Sequence, residues 1–150
     1  MVKRFTVLSI EDNKADFVLL EKALNKIPDL EIDLINIDNG QDALDFLYKK
    51  DEYKSAPTPH IIILDINLPA VDGKEILKEL KRDKSQSSIP VIIFTSSSLP
   101  TDIEEAYSLH ANSYVTKTFD INTLYKKIKI MGEFWLKTNR LPDLNNSSSI

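Results

Sequence analysis

His60-Ile61-Ile62-Ile63-Leu64-Asp65-Ile66-Asn67-Leu68-Pro69 decides the fold. Ile61 to Leu64 is an unbroken apolar run, too short for a helical stripe and without the polar alternation of a half-exposed strand. Such a run fits a strand in the middle of a parallel sheet, covered on both faces. A polar stretch containing Pro57 and Pro59 precedes it, and a loop over 65–72 follows.

Outward from this strand, apolar runs alternate with helical stripes. The pattern predicts strands over 5–10, 32–37, 60–64, 90–94 and 113–116, and helices over 14–26, 41–48, 73–81, 101–109 and 120–138. Asp12 or Asn13 can cap the first helix, Thr101-x-x-Glu104 has the capping-box pattern for the fourth, and Asp120 can cap the last. Five strands, each followed by a helix, make an α/β chain. With right-handed crossovers it forms a doubly wound five-stranded parallel sheet.

A length of 150 residues fits one domain, read here as 1–138 with an extended last helix, followed by a flexible polar tail over 139–150. Hydrophobic residues at 42% and charged residues at 28% are globular proportions. With no cysteine, disulfides and thiolate chemistry are excluded, in agreement with a cytoplasmic setting. No apolar run approaches the length of a membrane span, and no signal-peptide pattern follows Met1. The net charge of −4 disfavours nucleic acid, so Lys126, Lys127 and Lys129 read as a solvated helix face.

In such a sheet, ligands bind beyond the carboxyl ends of the strands. The first strand ends in Glu11-Asp12, the third in Asp65, the fourth in Thr95-Ser96 and the fifth in Lys117. Singly, each reads as a cap or a solvated polar residue. Together they place three carboxylates, a hydroxyl and an ammonium at one edge. Clustered carboxylates repel one another and call for a cation; oxygen donors without Cys or His favour a hard ion such as Mg²⁺. One carboxylate can also take a phosphoryl group as a nucleophile. Lys117 would then offer positive charge to the transferred oxygens, and Thr95 a hydroxyl donor.

Ile-Glu-Asp-Asn at 10–13, Leu-Asp-Ile-Asn-Leu-Pro at 64–69 with Asp72-Gly73, Phe-Thr-Ser at 94–96 and Ser-Tyr-Val-Thr-Lys at 113–117 resemble the receiver domains of two-component response regulators. The resemblance covers Met1 to about Gly132. It implies a flavodoxin-like fold of strand order 2-1-3-4-5 and phosphorylation of Asp65 by a sensor histidine kinase or a histidine phosphotransfer protein. It implies Mg²⁺ held by Asp12, Asp65 and the Asn67 backbone carbonyl, with Glu11 assisting directly or through water. It also implies that Thr95 and Lys117 contact the phosphoryl group, and that Tyr114 is the aromatic that turns inward on phosphorylation, switching the face of the fourth helix, fifth strand and fifth helix. Such a protein is a signalling receiver, not an enzyme beyond its own phosphotransfer and dephosphorylation. Asn112-Ser113-Tyr114, Phe134-Trp135-Leu136 and Leu141-Pro142 resemble the stand-alone receivers associated with bacterial phytochrome-type histidine kinases.

Two positions depart from the family pattern. Thr118 follows Lys117 where proline, in a cis bond, is usual, so a trans bond is expected here. His110 stands where glycine is frequent, which implies a tight turn.

Two alternatives stay open, a small Mg²⁺-dependent phosphohydrolase with an Asp nucleophile and a degenerate receiver serving only as an interaction module. Haloacid-dehalogenase-like enzymes carry an acid where Asn67 stands, and the complete acid–Asp–Thr–Lys set opposes degeneracy. A nucleotide- or flavin-binding module would need a Gly-rich loop, which Gly40, Gly73 and Gly132 cannot form. About eighteen residues follow the receiver core, fewer than the ~40 of an independent module, so output is expected through a protein partner. On the last helix Ile121, Leu124, Tyr125, Ile128, Met131 and Trp135 share the stripe expected to pack on the sheet. Ile130, Phe134 and Leu141 fall opposite, as a patch expected to pair two copies.

Overall fold

The computed structural model describes residues 2–144. Five parallel strands, β1 (Lys3–Ile10), β2 (Leu30–Ile37), β3 (Ile61–Leu64), β4 (Val91–Thr95) and β5 (Ser113–Thr116), form one sheet of order β2-β1-β3-β4-β5. The helices are α1 (Lys14–Asn25), α2 (Gly40–Leu47), α3 (Gly73–Arg82), α4 (Pro100–Ser108) and α5 (Ile121–Glu133), the last running into a π-helical turn, Phe134–Thr138. This is the predicted doubly wound architecture, with β2 two residues longer at its start than the sequence suggests.

Side chains alternate across a strand, so the central residues divide between two cores. Leu8, Ile10, Ile62, Leu64 and Ile93 face α2, α3 and α4, where they meet Leu44, Leu47, Ile76, Leu77, Leu80 and Ala106. Val7, Ile61, Ile63, Ile92 and Phe94 face α1 and α5 and pack with Leu20, Leu24, Leu124, Ile128 and Met131. All four residues of β3 are buried, which is why its sequence is apolar throughout. Each fully buried Ile or Leu contributes ~1.5–3 kcal/mol of transfer free energy.

The helix starts follow local chemistry. Asn13, rather than Asp12, caps α1 by accepting from the Asp16 N–H. Asp72 caps α3 and Asp120 caps α5 in the same manner. The capping box is not used: α4 begins at Pro100, with Leu99 at the cap position and Thr101 already inside. Proline at the first helical position forgoes only an N–H that has no partner there.

The last helix departs from an even stripe. Ile121 is 66% exposed, and Leu136 rather than Trp135 is fully buried. The wider π turn, closed by the Asn139 N–H on the Phe134 carbonyl, shifts the face presented to the core. Leu141 packs on its own core instead of joining the outer patch, so Ile130 and Phe134 remain exposed there. His110 has φ 72°, the left-handed backbone of a tight turn. No peptide bond among the described residues is cis, so Lys117–Thr118 is trans. The expected tail beyond Leu144 lies outside the described residues.

Candidate functional site

Parallel strands bring their carboxyl ends to one edge, and register sets the level. Ile10 pairs with Leu64 and Leu64 with Ile93. Glu11 and Asp65 therefore leave adjacent strands side by side. Thr95 pairs with Thr116, so Lys117 emerges one residue further on, its N–H bonded to the Thr95 carbonyl.

Lys117 is the centre of the site. Its side chain is 8% exposed and its Nζ donates to Glu11 Oε1 at 2.6 Å, Asp16 Oδ2 at 2.8 Å and Asp65 Oδ2 at 2.9 Å. Its Nζ lies over the Phe94 ring, 5.2 Å from the centroid. Burial alone would lower the ammonium's pKa, but the hydrogen bonds it gives Asp16 and Glu11 outweigh it, and the group is held firmly charged.

Asp65 is buried, and its other oxygen, Oδ1, accepts the Asn67 N–H at 2.9 Å. The Asn67 side-chain amide donates to the buried Thr95 hydroxyl oxygen at 3.2 Å. Glu11 is buried as well. Burial is the main cause raising its carboxyl to about 7; the Lys117 hydrogen bond opposes this and the neighbouring charge of Asp65 adds to it.

Carboxylate oxygens of Glu11, Asp12 and Asp65 lie within 4.8 Å of one another. One lysine cannot balance these acids and Asp16 together, so the site carries surplus negative charge. An all-oxygen set with surplus charge fits a hard divalent cation.

Away from the acids, the Tyr114 hydroxyl donates to the Ser97 carbonyl at 2.8 Å, and the half-buried side chain packs against the core on the α2, α3 and α4 side of the sheet. Ser97 Oγ donates to Asp102 Oδ2 at 2.5 Å, and Lys74 Nζ bridges Asp102 at 2.6 Å and Glu105 at 2.8 Å.

Glu11, Asp12, Asp65, Asn67, Thr95 and Lys117, each singled out in the sequence, thus meet at one edge, with Tyr114 three residues before Lys117 on β5. The sequence reading missed Asp16. An acid in the first turn of a helix reads as a complement to the helix dipole, which conceals its second role.

Residues 7–129 match the response regulator receiver domain family. The chain is 38% identical over 136 residues to the response regulator Rcp1 of Synechocystis, covering 91% of this chain and 92% of that protein. The crystal structure of the Mn²⁺-bound form of Rcp1 superposes with a TM-score of 0.89 at 37% identity, over 93% of this chain and 99% of that one. That of the phosphorylated cyanobacterial phytochrome response regulator RcpA gives 0.90 at 36% identity, with the same coverage. The sheet order, the acidic edge and these likenesses agree: the chain belongs to the family of response regulator receiver domains.

Proposed function

We propose that this chain, through a receiver formed by residues 1–138, accepts a phosphoryl group on Asp65 from a phosphohistidine of a sensor histidine kinase or phosphotransfer protein. The observation that carries the reading is the grip on Asp65: Lys117 on one oxygen and the Asn67 N–H on the other, beside an acidic cluster. An oxygen of Asp65 bonds to phosphorus as the P–N bond breaks, and that electron pair leaves with the donor's imidazole. Lys117 then turns the hydrogen bond it gives Asp65 toward a phosphoryl oxygen, and the Thr95 hydroxyl offers a second donor. Glu11, Asp12, Asp65 and the Asn67 carbonyl would hold Mg²⁺, whose charge offsets the repulsion between phosphodonor and carboxylates. The proposed setting is the cytoplasm, although the structure shows only that no helix among the described residues is long and apolar enough to cross a membrane.

A protein donor must cross the rim formed by Asn13, Asp16, Ser96, Lys117, Thr118 and Phe119. Phe119 is fully exposed, beside an apolar groove between α1 and α5 lined by Val18, Leu19, Ile121 and Leu124. The groove shares Asp16, Thr118 and Phe119 with that rim, whose Lys117 is bonded to Asp65, so the donor's histidine-bearing segment lies across it. Phe119→Ala should slow transfer from a protein donor and leave labelling by acetyl phosphate unchanged; equal transfer from the protein donor contradicts this. Labelling by acetyl phosphate, with Mg²⁺ and with chelator, separates the receiver from a degenerate one.

Ile130 and Phe134, one turn apart and exposed, are the proposed contact between two copies. Sedimentation of the wild type should show a dimer that Phe134→Glu disrupts. A wild type monomeric at high concentration, phosphorylated or not, contradicts it.

A further inference from the structure

We propose that Asp16 is a positioning residue that anchors Lys117 over Asp65 during phosphoryl acceptance; the inference rests on the reading of Asp65 as acceptor. An ammonium has three N–H donors. In Lys117 they are matched by Glu11, Asp16 and Asp65 at 2.6, 2.8 and 2.9 Å. These partners differ once Asp65 is used. Asp65 becomes the acyl phosphate, and its hydrogen bond from Lys117 passes to the new group. Glu11 and Asp65 also belong to the oxygen cluster suited to a divalent ion, so a cation there draws on the electron pairs that hold the lysine. Asp16 lies outside that cluster and keeps its bond throughout.

The position of Asp16 suits an anchor. It sits in the first turn of α1, its N–H tied to the Asn13 side chain at 3.0 Å, on a helix that packs against α5. Lys117 has weaker local support. It follows the partly exposed edge strand β5 and precedes Thr118 and the fully exposed Phe119. Its long side chain depends on distant partners for direction, and Asp16 is the fixed one. Without it, a buried donor lacks its match and the ammonium turns away from Asp65.

The test measures labelling rates with acetyl phosphate at saturating Mg²⁺ for the wild type, Asp16→Ala and Asp16→Asn, each also in a Lys117→Met background. Asp16→Ala should slow labelling about tenfold, since misplaced catalytic groups cost rates of this order or more. Asp16→Asn keeps an acceptor oxygen and should recover most of that loss. In the Lys117→Met background neither change should slow labelling further, an outcome that a merely structural role would not give. Wild-type rates in Asp16→Ala, or the same slowing with and without Lys117, overturn the inference alone. A wild type that takes no label overturns the acceptor reading, and this one with it.

Discussion

The Tyr114 hydroxyl donates a 2.8 Å hydrogen bond to the Ser97 carbonyl, two residues beyond Thr95. Ser97 in turn is tied through its own hydroxyl to Asp102, and Asp102 to Lys74 of α3. The Tyr114 hydroxyl is thus tied to a chain of hydrogen bonds that ends on two helices. Asp102→Ala should free the Ser97 hydroxyl, leave Lys74 paired with Glu105 alone, and let Tyr114 populate a second rotamer, at a cost of ~1.5–3 kcal/mol, the usual range for hydrogen bonds to charged groups. Side-chain NMR couplings of Tyr114 report this; a single, unchanged rotamer contradicts it.

Gly73 leaves no space for a side chain. A Cβ there would stand 2.5 Å from the Asp65 carbonyl oxygen and 2.5 Å from Ile66 Cα, both backbone atoms. Gly73→Ala should destabilise by ~1–3 kcal/mol, the cost of overpacking, and displace the loop that carries Asp65. Thermal unfolding and the labelling rate should fall together. A variant with wild-type melting temperature and rate would show that the backbone yields without cost.

Asp12 is the exposed member of the acidic cluster, and Glu11 and Asp65 its buried ones. Asp12→Ala should weaken Mg²⁺ binding at least tenfold, about 1.4 kcal/mol, and raise the Mg²⁺ concentration needed for labelling. Calorimetric titration measures the first effect directly. Unchanged affinity would remove Asp12 from the metal site.

Much of this was legible in the sequence because strand runs and strand ends are local signals. Ile61 to Leu64 announced a central strand, and Glu11, Asp12, Asp65, Thr95 and Lys117 stood at strand ends that the topology gathers. What stayed hidden depends on geometry that spacing does not encode. The π turn brings Leu136 fully into the core and leaves Trp135 only partly buried against it. Ile121, though in phase with the buried stripe, lies at the open groove between α1 and α5. Asp16 meets Lys117 across 101 positions of chain, and only the folded sheet brings them together.

His60 gives the fold a pH dependence. Its Nδ1 accepts the Thr6 N–H at 3.0 Å, its ring meets Phe5 edge-on, and burial lowers its pKa. The unfolded chain therefore takes up this proton at a higher pH, near ~6.5, than the folded chain does. The stabilisation is fully present above that value and is lost as pH falls through the lower folded value. Urea unfolding from pH 8 downward should show this loss in the wild type and a flatter profile in His60→Asn. Parallel profiles for the two proteins would contradict it.

The central claim is that Asp65 is the phosphoryl acceptor, and site-resolved labelling tests it most directly. Wild type and Asp65→Asn are incubated with acetyl phosphate and Mg²⁺, their folding is checked by circular dichroism, and the intact masses are read. The wild type should gain one phosphoryl group and the folded Asp65→Asn variant none; undiminished labelling of that variant would contradict the account.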